Sequence, residues 1–146
     1  MGMVVIPDVK ITSLKQIYHP QGNVFHGIKK SDPGFIDFGE AYFSTINFNQ
    51  IKSWKKHLKM TLNLIVPVGS IKFILFDDRS SSSSCGKFME VVLSPQAYRR
   101  LTIPPNIWLA FQGLGKETNL LLNIADIEHD PEEIKRLELL EIPYKW

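Results

Sequence analysis

Short apolar runs broken by turn residues are the feature of this 146-residue sequence that most limits its fold. Ile71–Phe76 reads Ile-Lys-Phe-Ile-Leu-Phe and Phe88–Leu93 reads Phe-Met-Glu-Val-Val-Leu, followed by Leu101–Ile103, Ile107–Phe111 and Asn119–Ala125. Each is rich in β-branched or aromatic side chains and bounded by Gly, Pro, Ser or Asn. Val68-Gly69-Ser70 and Gly113-Leu114-Gly115-Lys116 read as tight reversals, and Ala41–Phe48 as a further strand. Helical spacing is absent before residue 130, so the pattern predicts a sandwich or barrel rather than βαβ units. At the C-terminus, Asp130-Pro131-Glu132-Glu133 reads as a helix start, with Ile134 and Leu137 three apart, and predicts one short helix on the outside of the β fold.

Composition excludes several classes. Sixteen aromatic residues and a net charge of +2 argue against disorder and against a strongly basic nucleic-acid-binding surface. Cys85 is the single cysteine, so no internal disulfide forms. The apolar run Leu64–Val68 is five residues long and contains Pro67, which is far from a membrane span. The expectation is a cytoplasmic protein folded as a single domain over residues 1–146. Arg79–Gly86, with its run of five serines, reads as a surface loop between strands.

The charge is unevenly distributed. Residues 1–76 hold nine lysines against four acids, whereas residues 77–146 hold eight basic residues against eleven acids. Lys52, Lys55, Lys56 and Lys59 cluster around His57. Such a cluster reads either as a solvated face or as a site for an anion such as phosphate. Period 2 places Leu62, Leu64, Val66 and Val68 on one face, and Lys55, His57, Lys59, Thr61 and Asn63 on the other if the strand is unbroken. That polar stripe faces either solvent or a ligand-holding interior. Asn63 and Asn123 interrupt apolar strands, as interior or as edge residues. The histidines at 19, 26, 57 and 129 contain no His-x-His pair, so no metal site and no cofactor are expected. Cys85 lacks the partners of a catalytic thiol.

Residues 76–131 carry a resemblance. Phe76-Asp77-Asp78-Arg79 with Ser84-Cys85-Gly86-Lys87-Phe88 is similar to an Asp-x-Arg loop followed by Ser-Pro-Thr-x-Gly-Lys-Trp. Val92-Leu93-Ser94 and Arg100-Leu101-Thr102-Ile103-Pro104-Pro105 match a Leu-Ser strand and a Gln-Leu-x-Ile-Pro turn. Ile107–Phe111 falls at Phe-Ala-His-Gly-Phe, His129-Asp130-Pro131-Glu132 at Tyr-x-Pro-Glu, and Ile51–His57 at Leu-Arg-Gly-Leu-His-x-Gln. In this order the pieces resemble the dTDP-4-dehydrorhamnose 3,5-epimerase family over about residues 22–136. The resemblance implies a cupin-like jelly roll, a homodimer whose N-terminal strand crosses to its partner, and a nucleotide-linked 4-keto sugar as ligand. It also implies proton transfer beside a keto group without metal, in surface polysaccharide synthesis. In that chemistry a His removes a proton, a Tyr on the other face returns one, and Arg and Lys hold the diphosphate.

The sequence departs from the family at the catalytic positions. Lys55 stands at the base His, with His57 two residues later. His129 stands at the Tyr, Leu109 at a second His, and Lys52 at an Arg. The expected catalytic residues are His57 or Lys55 as base and His129 as acid, with Lys52, Lys59, Asn63, Arg79 and Asn123 binding substrate. The alternative is a cupin that binds sugar nucleotides without turnover, or a fold reused for another ligand.

Overall fold

The computed structural model describes residues 4–146. Two five-stranded antiparallel sheets face each other. The first runs in the order β1 (Lys10–Ser13), β9 (Arg99–Ile103), β6 (Leu62–Val68), β11 (Leu120–Ala125), β4 (Glu40–Thr45). The second runs β12 (Ile134–Arg136), β5 (Ile51–His57), β10 (Trp108–Gly113), β7 (Ile71–Asp77), β8 (Lys87–Leu93). A small hairpin of β2 (Gln16–Ile17) and β3 (Val24–Phe25) lies apart from both. This is the sandwich that the strand pattern predicts and the jelly roll that the resemblance implies, and the Gly69 reversal between β6 and β7 has φ +86°. A Cβ at Gly69 would fall 2.3 Å from the Thr118 carbonyl oxygen, so glycine is required there.

Alternation sorts the side chains into three apolar layers. Between the sheets lie Leu62, Leu64, Val66, Phe73, Leu75, Leu101, Leu109, Leu121 and their neighbours. Outside the second sheet, Trp54, Ile74, Trp108, Ala110 and Ile142 form a separate cluster, covered by Leu137, Tyr144 and Trp146. Trp54 and Trp108 are thus core side chains, and their indole N–H groups donate to the Leu139 carbonyl (3.1 Å) and to Asp78 (2.9 Å). Outside the first sheet, Ile65, Tyr98 and Ile124 pack under Leu14 and Ile28.

The expected C-terminal helix is not formed. Asp130 does cap a turn, accepting from the Glu132 N–H at 3.0 Å, but Pro131–Glu133 is one turn of 3-10 helix. The chain then becomes β12 and closes with a second 3-10 turn at Leu139–Glu141. Without β12, β5 would be an open edge with unpaired backbone groups. Pairing of Ile134 with His57 and of Arg136 with Lys55 meets that demand, which a two-turn helix could not. At the other end of the chain, β1 pairs antiparallel with β9.

Candidate active site

One end of the space between the sheets is unfilled. A cavity of about 520 Å³ opens there between β4, β6 and β11 on one wall and β5, β10 and β12 on the other. Its polar lining includes Tyr42, Lys52, Lys55, His57, Asn123 and Arg136, set against Leu62, Leu64, Leu109 and Leu121.

The position of Lys52 depends on a bulge. On β10, Leu109 pairs with Lys55 and Phe111 with Lys52, so two residues of β10 span three of β5. Strict alternation would put Lys52 and Lys55 on opposite faces. The extra residue at Ser53–Trp54 restores both lysines to the inner face while Trp54 stays on the outer one. The Lys52 ammonium lies 5.8 Å from the Phe111 ring centroid and donates to the Thr45 carbonyl at 2.9 Å. Lys55 is flanked by Arg136 and Lys52. Burial first, and then these two cations, lower its pKa, while Glu133 opposes the shift.

His57 is held by a carboxylate that the sequence reading did not assign to the site. Its Nδ1 lies 2.5 Å from Glu133 Oε2, and the His57 and Glu133 side chains are 11% and 1% exposed. The other Glu133 oxygen accepts from the backbone N–H groups of Lys59 (3.0 Å) and Met60 (3.1 Å). Burial alone would raise the Glu133 pKa. The His57 hydrogen bond, the two backbone donors and the His57 charge together outweigh it and leave the pKa lowered. An ionised Glu133 accepts a hydrogen bond from the Nδ1–H, the tautomer in which Nε2 carries the lone pair. In the sequence Glu133 read as a dipole-complementing residue of a helix start, and its pairing with β5 exists only because that helix is absent.

The facing wall supplies Tyr42, paired in register with Asn123. Asn123 Nδ2 donates to the Tyr42 hydroxyl at 3.2 Å. Burial and then the charge of Glu40 raise the Tyr42 pKa, so the phenol keeps its proton at neutral pH. Alternation along the expected strand 41–48 puts Tyr42 and Ser44 on the face of Ile46, which is the signal that could have found them.

Other expected site residues lie elsewhere. The polar stripe from Lys55 to Asn63 requires an unbroken strand, but β5 ends at His57 and β6 begins at Leu62. The break reverses the phase, and Asn63 points outside the first sheet. There it accepts from Arg100 Nε (3.1 Å) and the Thr102 hydroxyl (2.5 Å), and donates to the Gly34 carbonyl (3.0 Å). Arg100 is fully buried and also holds the Gly27 and Pro33 carbonyls, so this cluster fastens the 27–34 loop. Arg79 braces the serine loop: its Nε and Nη2 contact the two oxygens of Asp77 at 2.9 and 3.0 Å, and Ser82 and Ser84 donate to the same carboxylate. Lys59 is exposed beyond the end of β5. His129 is exposed on the loop before β12, its backbone N–H bonded to Glu40, and it does not line the cavity. Of the eight expected residues the cavity gathers His57, Lys55, Lys52 and Asn123, and adds Tyr42 and Arg136, with Glu133 buried behind His57. Among the described residues no group of three His, Cys, Asp or Glu side chains is placed to hold a metal ion.

No family model matches the sequence. A dTDP-sugar isomerase from Desulfovibrio desulfuricans superimposes with a TM-score of 0.93 at 35% identity, over 98% of this chain and 94% of its own. A Legionella pneumophila 3,5-epimerase in complex with dTDP-4-keto-L-rhamnose shares the fold, with a TM-score of 0.85 at 18% identity over 99% of this chain and 81% of its own. A probable low-salt glycan biosynthesis epimerase of Haloferax volcanii is 26% identical over 130 residues, which is 88% of this chain and 83% of the relative. By identity, coverage and fold, this chain belongs to the family of dTDP-sugar epimerases and isomerases that includes the dTDP-4-dehydrorhamnose 3,5-epimerases.

Proposed function

We propose that this protein epimerises or isomerises a dTDP-linked 4-keto sugar, in glycan biosynthesis, by proton transfer beside the keto group. The observation that carries the reading is the His57–Glu133 pair opening into a cavity rimmed by Lys52, Lys55 and Arg136. A dianionic diphosphate matches three cations on one wall. A carbon acid next to a ketone matches an imidazole whose Nδ1–H is already taken.

His57 Nε2 removes the proton from the carbon next to the ketone. The C–H electron pair becomes the enolate double bond, and the carbonyl oxygen takes the charge. Lys55, two residues before His57 on β5 and lining the same cavity, stabilises that oxygen. Tyr42, on the opposite sheet, delivers its hydroxyl proton to the other face of the carbon. His57 then loses a proton to solvent as the Tyr42 phenolate regains one. Return to the same carbon inverts it, whereas protonation at the neighbouring carbon after enediol formation moves the ketone. The acid role expected of His129 passes to Tyr42, because Tyr42 lines the cavity and His129 does not.

The decisive experiment incubates the protein with a dTDP-4-keto-6-deoxy sugar in D₂O. Deuterium enters C3 or C5, or follows the migrating ketone, and His57→Asn abolishes incorporation. Binding without incorporation would instead leave a non-catalytic sugar-nucleotide cupin. The reading also includes a homodimer, for which the exposed Phe38 and Phe43 beside the open edge of β4 supply apolar surface. Light scattering coupled to size-exclusion chromatography tests it, with a 16.7 kDa species counting against it. No helix among the described residues is long and apolar enough to cross a membrane.

A further inference from the structure

A small recess lies beside His57 and Lys55 and takes no part in the proton transfer. Lys55, His57, Leu62 and Leu109 line both this recess and the main cavity. The walls that belong to the recess alone are Met60, Ile103, Pro104 and Ile107. They converge from three places: Met60 from the turn between β5 and β6, Ile103 and Pro104 from the end of β9, and Ile107 from just before β10. Met60, Ile103 and Ile107 are core side chains, at 3%, 2% and 2% exposure.

Size and polarity limit what the recess accepts. Its volume of about 10 Å³ admits one water-sized group. Lys55 and His57 are its only polar side chains, and Nδ1 of His57 is held by Glu133. With a substrate oxygen at Lys55 and a substrate C–H at His57 Nε2, no polar side chain remains for the occupant. A hydroxyl sealed there gives up its hydrogen bonds to water without replacement, whereas a methyl group gains burial. Met60 is the adaptable wall, since an unbranched thioether yields to the shape of a carbon group.

The reaction geometry decides which substrate group arrives. The ring lies between His57 and Tyr42 with its ketone at Lys55. C5 is bonded to the ketone carbon, so the exocyclic C6 stays two bonds from that carbon and close to both side chains that open onto the recess. In a 6-deoxy sugar that carbon is a methyl group, the one apolar substituent of the ring. We propose that Met60, Ile103, Pro104 and Ile107 form the specificity pocket for C6, admitting a methyl group and rejecting a hydroxymethyl group. The inference rests on the nucleotide-sugar reading and deepens it by naming the residues that select 6-deoxy sugars. An added hydroxyl in an apolar pocket is discriminated against by about 10- to 100-fold.

The test is calorimetric titration of the full chain with dTDP, dTDP-glucose and dTDP-6-deoxyglucose. The unaltered protein binds the 6-deoxy compound at least about tenfold more tightly than dTDP-glucose. Ile103→Thr and Ile107→Thr each place a hydroxyl in the recess wall, and the ratio of the two Kd values falls to about threefold or less because the 6-hydroxyl gains a partner. The ratio is taken within each variant, so a general weakening of binding cancels. NMR of the unaltered protein, with its isoleucine, leucine and methionine methyl groups labelled, locates C6 without any substitution. The C6 methyl of dTDP-6-deoxyglucose gives Overhauser contacts to the methyl groups of Met60, Ile103 or Ile107, and these contacts decide the matter if a threonine variant fails to fold. Their absence, equal affinity for the two sugars in the unaltered protein, or a ratio that survives in both variants overturns the proposal and leaves the nucleotide-sugar reading standing. Failure of the unaltered protein to bind dTDP overturns that reading and this proposal with it.

Discussion

His57 Nδ1 and Glu133 Oε2 stand 2.5 Å apart, joining β5 to the turn that precedes β12. Replacing Glu133 by Gln tests what the pair does. The Gln oxygen can still accept from the Lys59 and Met60 N–H groups, so the turn stays anchored. Its NH₂ then faces Nδ1, which must become an acceptor, and the imidazole proton moves to Nε2. The base is thereby turned into a donor. We expect turnover in Glu133→Gln to fall on the order of 10²- to 10³-fold with little change in Kd for dTDP, and His57→Asn to remove about 10²- to 10⁴-fold. Deuterium wash-in under single-turnover conditions checks both, and full activity in Glu133→Gln would remove the pair from the mechanism.

Lys55 gives the site an alkaline limit. Its pKa lies below the ordinary 10.5 because burial, Arg136 and Lys52 all disfavour the ammonium. The charge is present at neutral pH and is lost as pH rises through the lowered value. Affinity for dTDP should therefore weaken on the alkaline side before an ordinary lysine titrates. Lys55→Met should be weaker at neutral pH by about one to two orders of magnitude, as for loss of a hydrogen bond to a charged group, and should lack the alkaline limb. Titrations between pH 7 and 10 read both effects, and an unchanged limb in the variant would assign it to another group.

The strand runs of the second half were legible in the sequence because alternation and turn residues coincide there. Ile71–Phe76 is β7 almost residue for residue, and Gly69 sits at the reversal it was assigned. What escaped is what alternation cannot encode. The bulge at Ser53–Trp54 shifts the phase of Lys52, and the break at Leu58–Thr61 shifts that of Asn63. Asp130-Pro131 carries a true cap signal, but a local signal fixes only one turn, and the edge of β5 decided the rest. Glu133 was hidden with it, because its partner lies 76 positions away in sequence. Tyr42 escaped for a different reason: the resemblance directed attention to His129, on a loop that the fold carries past the cavity.

Asp77 and Arg79 are a structural pair, and acid should expose their contribution to stability. Burial raises the Asp77 pKa, but the bonds from Arg79, Ser82, Ser84 and the Arg79 backbone N–H outweigh it and hold the carboxyl far below its ordinary 3.8. The unfolded chain therefore binds this proton first. The stability that Asp77 contributes is full above 3.8 and is lost as pH falls through that value toward the folded one. Asp77→Asn should cost about 3 kcal/mol at pH 7, because Arg79 loses its partner and the serine loop its anchor. It should cost less at pH 3. Urea unfolding at the two pH values checks this, and equal losses would count against the pair.

Ile142 links the tail to the cavity through Trp54. It is 5% exposed against an indole that is 1% exposed, on the outer face of the bulge whose inner face presents Lys52 and Lys55. Truncating Ile142 to Ala removes buried methyl and methylene groups beneath a tail that cannot fully collapse, at a cost of about 2–4 kcal/mol. For a chain of this size that lowers Tm by roughly 5–15 °C. Because Trp54 holds the bulge in phase, the variant should also bind dTDP several-fold more weakly at temperatures where it is still folded. Leu140→Ala serves as the comparison. It lies two residues before Ile142 and is 90% exposed, so neither Tm nor affinity should move beyond error. Thermal unfolding with and without dTDP separates the two effects. A lowered Tm with unchanged affinity would show that the bulge keeps its shape without the tail.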